Sequence, residues 1–205
     1  MAEAVIKQGP LTGTRIAVLM ESDYFEPEIS YYRHRFAEEG ARVEFLTRLW
    51  GQEELTFRGH EFGAPFTVDR SLEDVDPRRY AAIVVPSGMV ADRLRYTEDV
   101  NRLAPAVRLL RWAFAEPGVL KGVICHGLWL AAAIPQTVHG RKVACHNNLV
   151  GDVRNMGAEY VDQDVVVDGD LITARTGEHH HLFARTLVEE LALRKGAPIP
   201  RKDGR

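Results

Sequence analysis

The chain holds 205 residues, 45% of them hydrophobic and 27% charged, with a formal net charge of -3. That length allows one domain with a full core, and the lack of a basic excess argues against a general nucleic-acid binder, which needs cationic side chains to neutralise phosphates. No stretch approaches the roughly 18 apolar residues of a membrane span, and "MAEAVIKQGPLTGTR" lacks a signal peptide's apolar core and cleavage site.

In chain order, residues 1–13 read as a loose leader. "RIAVLM" reads as a buried strand, and "PEISYYRHRFAEEG" as a helix with Pro27 in its first turn and Gly40 at its end. "ARVEFLT" alternates like a strand. "LTFRGHEFGAPFTV" breaks the rhythm and is expected to form an extra antiparallel hairpin at one side. "AAIVVP" is a second buried run. Within "NRLAPAVRLLRWAFAEPG", Leu103, Val107, Leu110 and Phe114 share a helical face. "VLKGVIC" is a third buried run and "HGLWLAAAIP" a short helix. "DVVVDGDLITAR" is a hairpin about Asp168-Gly169. "HLFARTLVEELALRKG" is the last helix, with Phe183, Leu187 and Leu191 on one stripe, and residues 196–205 form a frayed tail. Strands alternating with helices imply an α/β three-layer sandwich with a mainly parallel sheet, over one domain at 14–195.

Two cysteines, Cys125 and Cys145, make no disulfide framework, so free thiols in a reducing, cytoplasmic setting are expected. Cys125 ends a buried run and a helix follows it directly. Parallel sheets bind substrates outside the carboxyl ends of their strands, and a strand–turn–helix is the context of a nucleophile elbow. The turn strains the backbone and presents the side chain; Gly127 lets the helix pack closely. The first helical amides can stabilise a thiolate or an oxyanion and lower the thiol from about 8.5. The alternative is that Cys125 is a small core residue.

"VICHGLWLAAAI" resembles the elbow of the PfpI/ThiJ superfamily, whose fold is flavodoxin-like, of the class I glutamine amidotransferase type. "YYRHRFAEEGARVEFLT", "DPRRYAAIVVPSG" and "GRKVACHNNLVGDVRNMGAEYVDQDVVVDGDLITAR" are similar to further family segments, so that the likeness covers about residues 14 to 193. The resemblance implies that Cys125 is the nucleophile and that Glu28 is a protonated carboxyl beside the sulfur, hydrogen-bonding its thiolate. It implies that His126 is the histidine of the intracellular-protease branch. There a neighbouring subunit's carboxylate orients that ring, and the matching position is Asp92, shorter than the usual glutamate. Gly88 and the His126 amide match the oxyanion-hole donors, and Ser87 stands where the family has glycine, which suggests altered specificity. No cofactor is implied. The partner implied is another copy, in a homodimer or a hexamer; apolar Met89 and Val90 fit such an interface.

"TGEHHHLFAR" replaces the family's usual segment before the last helix. Its Glu178 and His179 are expected to line the pocket near Cys125 rather than to bind a metal with His180 and His181, because consecutive helical residues diverge. Cys145 and His146 read as a strand end with an inert thiol. Two functions follow. One is a cysteine-dependent enzyme acting on reactive carbonyls, of glyoxalase or deglycase type, or on amides, of peptidase or amidase type. The alternative is a non-catalytic redox-sensing stress protein using the same thiol.

Overall fold

A computed structural model describes residues 9–73 and 75–196. Of the flexible termini expected at 1–13 and 196–205, residues 1–8 and 197–205 lie outside the described residues. The stretch from Gly9 to Gly13 is not loose: Leu11 is fully buried, its amide donates to the Glu39 carbonyl at 2.9 Å, and the Lys195 ammonium donates to the Thr12 carbonyl at 2.7 Å.

The elements run β1 (Arg15–Leu19), α1 (Glu26–Glu38), β2 (Arg42–Leu46), β3 (Leu55–Phe57), β4 (Phe66–Val68), β5 (Ala82–Val85), α2 (Val90–Leu94), α3 (Pro105–Phe114), β6 (Leu120–Ile124), β7 (Lys142–Val143), α4 (Val150–Asn155), β8 (Glu159–Tyr160), β9 (Val165–Asp168), β10 (Leu171–Ala174) and α5 (His180–Arg194). The central sheet has the order β2-β1-β5-β6-β10-β9; the first five strands are parallel and β9 pairs antiparallel with β10. This is the expected mainly parallel α/β architecture. The β3/β4 and β9/β10 hairpins fall where the sequence places them, and a small parallel pair, β7 with β8, lies outside the main sheet.

The uninterrupted apolar runs explain the sheet. Every residue of β5 and β6 is buried, as strands covered on both faces require. The chain passes from β1 through α1 to β2 in one direction along the sheet and from β5 through α3 to β6 in the other. Right-handed crossovers therefore put α1 and α3 on opposite faces. α5 packs against α1 and lays Phe183, Leu187 and Leu191 into the core. The gap between β1 and β5, where the direction of connection reverses, is the switch point at which open α/β sheets form their crevice.

The short helix expected after Cys125 is of the 3-10 kind, Cys125–Ala133. It is pressed against the strand ends: a Cβ added at Gly127 would stand 2.7 Å from the Val85 carbonyl oxygen and 3.1 Å from the Val123 side chain.

Candidate active site

Loops leaving the carboxyl ends of β1, β5, β6 and β10 converge on a pocket of about 430 Å³. The β1 loop supplies Phe25; the β5 loop supplies Ser87, Gly88 and Met89; the β6 end supplies Cys125 and His126; the β10 loop supplies Thr176, Gly177 and Glu178. His60 from the β3–β4 connection and His146 from the loop after β7 complete the wall.

Cys125 takes a left-handed backbone conformation, φ 59°. For a residue with a side chain this costs roughly 1 to 2 kcal/mol. The side chain is 6% exposed, and its Sγ lies 3.2 Å from Nδ1 of His126. The amides of Gly177, His126 and Gly88 all bear on the sulfur. Gly88 holds φ +79°, and a Cβ there would stand 2.2 Å from the Asp23 carbonyl oxygen, so the β5 loop has no room for another residue. The helix-terminus expectation of a lowered thiol is overturned: burial outweighs the three amides, and the thiol is pushed up to about 11. A charge on Glu28 adds to that rise.

Glu28 in the first turn of α1 is fully buried. It stands behind Ser87, whose amide donates to its carboxyl at 3.1 Å and whose hydroxyl also donates to it. Both hydrogen bonds therefore come from Ser87, and none joins Glu28 to Cys125 among the described residues, in contrast to the expected contact. Burial is the main cause that lifts Glu28 from 4.5 to about 7, against the opposing effect of Ser87 and Tyr32. The Tyr32 hydroxyl is fully buried and meets no hydrogen-bond partner at bonding geometry. Ser87 is thus engaged backwards, on the carboxyl, as well as lining the pocket.

The His126 ring packs edge-on to Trp129 at 5.0 Å and lies over His146 at 4.5 Å with the planes 31° apart. Burial first, and His146 second, lower its pKa. Phe25 and His60 stack at 5.3 Å on the opposite wall.

The segment before α5 divides. Gly177 and Glu178 line the pocket, but His179 does not. Its Nδ1 pairs with the Thr176 hydroxyl at 2.8 Å and its Nε2 faces Asp164 at 3.3 Å, which turns the ring away. His180 packs against Phe25 and Tyr31 and donates from Nδ1 to the Gly177 carbonyl at 2.8 Å, pinning the turn. His181 pairs with the Glu178 carbonyl. Asp92 is exposed on α2, in a separate concavity with Glu21, Trp50 and Tyr96. Within one chain it does not reach His126's pocket.

Sequence reasoning missed Phe25, His60, His146 and the Gly177 amide. A glycine opening the unusual "TGEHHH" segment, directly after a strand, was the available sign for Gly177. The aromatic and imidazole walls come from chain-distant loops and have no local signature. Chemically, the arrangement combines a thiol, an imidazole that can accept its proton, several backbone donors and a carboxyl able to exist neutral near pH 7.

Residues 14–190 match the model of the DJ-1/PfpI family. The chain is 32% identical to Protein/nucleic acid deglycase 2 of Escherichia coli (strain K12) over 86% of its own length and 97% of that protein. It is 30% identical to Deglycase PH1704 of Pyrococcus horikoshii over 86% of its length and 99% of that protein. A crystal structure of a two-domain protein from Anabaena variabilis, containing DJ-1/ThiJ/PfpI-like and ferritin-like domains, superposes with a TM-score of 0.78 at 22% identity. The match covers 94% of this chain and 52% of that one, and it bears on the fold alone.

The Glu28 carboxyl makes a pH prediction for stability. Below pH 4.5 it is protonated in both folded and unfolded chains. Between 4.5 and about 7 only the unfolded chain ionises, so its contribution to stability falls as pH rises, by about 3 kcal/mol in all. Urea unfolding of the wild type and of Glu28→Gln should show the variant gaining on the wild type across that window; parallel profiles would contradict the assignment.

Proposed function

The chain belongs to the DJ-1/PfpI family, and from that premise we propose that it is a cysteine-dependent deglycase-type enzyme acting on small carbonyl adducts. The observation that carries this reading is the pair at the pocket floor: Cys125 on a left-handed turn with Sγ 3.2 Å from His126 Nδ1. The relatives named as deglycases, matched over nearly their whole length, support it. A compact pocket of about 430 Å³ suits a small carbonyl group better than an extended polypeptide.

In this reading Cys125 Sγ attacks the carbinol carbon of an amine–2-oxoaldehyde adduct as its proton passes to His126. The C–S bond forms, the C–N bond breaks, and the amine leaves with a proton from His126. A hemithioacetal remains on Cys125. His126 takes the proton from the carbinol carbon to give an enediolate, the carbinol hydroxyl proton passes to the neighbouring enediolate oxygen, and His126 returns its proton to the former carbonyl carbon, which leaves the thioester of a 2-hydroxy acid. Water then hydrolyses the thioester and restores the thiol. The amides of Gly88, His126 and Gly177 supply donors for the oxyanions formed along this course. Glu28 serves in its neutral form, because an ionised carboxylate would oppose every negative charge generated on the sulfur.

Cys125→Ser should lower release of free amine and 2-hydroxy acid from methylglyoxal-treated amino acids by at least about a hundredfold. Full turnover by that variant would remove the reading. Selective peroxide oxidation of Cys125 in a protein without carbonyl turnover would favour redox sensing instead.

A second proposal concerns assembly. Asp92 sits outside the Cys125 pocket of its own chain, so a role in orienting His126 requires another copy to present it. Met89 and Tyr96 expose large apolar surface on the flanks of the same helix. Light scattering should give a homodimer or larger; a monomer would remove Asp92 from the site.

A further inference from the structure

His146 is the part of the pocket that the reaction above leaves unused. Its ring lies 4.5 Å from that of His126, centroid to centroid, with the planes 31° apart. It is itself fixed, since its Nδ1 accepts from the Asn148 amide at 3.2 Å at the head of a short 3-10 turn. That bond places a neutral His146 proton on Nε2. Two rings therefore bear on His126: His146, tilted against it, and Trp129, edge-on at 5.0 Å. The remaining freedom of its Nδ1 is towards Cys125.

We infer that His146 is a positioning residue for the proposed reaction: lying against His126, it keeps that imidazole aimed at Cys125, ready to take the thiol proton. The inference rests on the reading of His126 as proton acceptor. Its physical core is that two imidazolium rings at this separation repel, so positive charge at His146 disfavours a proton on His126. A His126 that already carried a proton would be unable to act as a base.

Other groups also surround His126. Cys125 precedes it on the turn, and Glu28 of α1 lies behind. His60 and Glu178 line the same pocket across from it. On its far side Trp129 donates from Nε1 to Asp152 of α4 at 3.4 Å, and Arg95 beyond α2 donates to the Trp129 carbonyl at 3.2 Å. Of these neighbours His146 is the one whose charge lowers His126, after burial.

Two substitutions separate charge from packing. His146→Gln removes the charge and keeps a polar side chain; His146→Lys holds a full positive charge. NMR of the protein with carbon-13-labelled histidine reads the His126 ring without any turnover. In His146→Gln the His126 midpoint should rise above the wild-type value, and in His146→Lys it should fall below it. The acid limb of kcat/KM on a methylglyoxal adduct, normalised to each protein's own plateau, should move in the same two directions.

A midpoint unmoved in both variants, or displaced the same way in both, overturns the inference. So does a lowered plateau with an unmoved limb, which is what a packing role alone would produce. His146→Asn, which also lacks the charge, replaces His146→Gln if that variant does not fold and should move the midpoint the same way. The ring measurement is independent of the functional reading: a wild type inert on every carbonyl adduct would remove the reaction, while the shift of the His126 midpoint would still be measured.

Discussion

A carboxyl without solvent, held by one serine, organises the site. Glu28 is fully buried at the start of α1, and Ser87, at the end of β5, gives it both its amide and its hydroxyl. An ionised carboxylate in that position would lack the solvation or the cation that a buried charge needs, so it is lifted to about 7. The Ser87 bonds tie α1 to the β5 loop. The next residue, Gly88, then lies so close to the Asp23 carbonyl that the loop has one available course. Cys125 faces this assembly from β6, and its ionisation is sensitive to whether Glu28 is charged.

The pocket is thus a product of topology and of local strain together. The parallel strands end at one edge of the sheet, which collects the β1, β5, β6 and β10 loops whatever their sequences. What differs from loop to loop is the cost each accepts. Cys125 takes a left-handed turn, and Gly127 gives up a side chain so that the following segment can press on Val85. The result is a thiol surrounded by amides yet largely removed from water, two influences that oppose each other. In the proposed chemistry the balance is tipped at the moment of attack, when His126 accepts the proton, and not by a permanently ionised sulfur.

Much of the scaffold was legible in the sequence because it depends on local pattern. The buried runs around Ile16, Ile83 and Val123 read as parallel strands, Asp168-Gly169 read as a hairpin turn, and the Phe183–Leu187–Leu191 stripe read as the last helix. The position of Cys125 at a strand end was legible for the same reason. The environment of its sulfur was not. Whether burial or backbone amides dominate depends on how deeply the side chain sinks, which no spacing encodes. The expected Glu28–Cys125 hydrogen bond is absent among the described residues, where Ser87 takes up the carboxyl. His179 was expected in the pocket, but Asp164 from the strand region beyond the sheet edge draws it away. His146 read as an inert strand end because its partner ring lies 20 positions earlier in the chain.

The central claim is that Glu28 keeps its proton up to about pH 7, since a charged carboxylate there would work against every negative charge the site must hold. Infrared difference spectroscopy between the wild type and Glu28→Gln measures this directly through the carbonyl stretch of a protonated carboxylic acid. The account predicts that band in the wild type at pH 6, disappearing with a midpoint near pH 7 and absent throughout in the variant. A wild type with no such band at pH 6, its carboxyl already ionised at the ordinary value near 4.5, would contradict it.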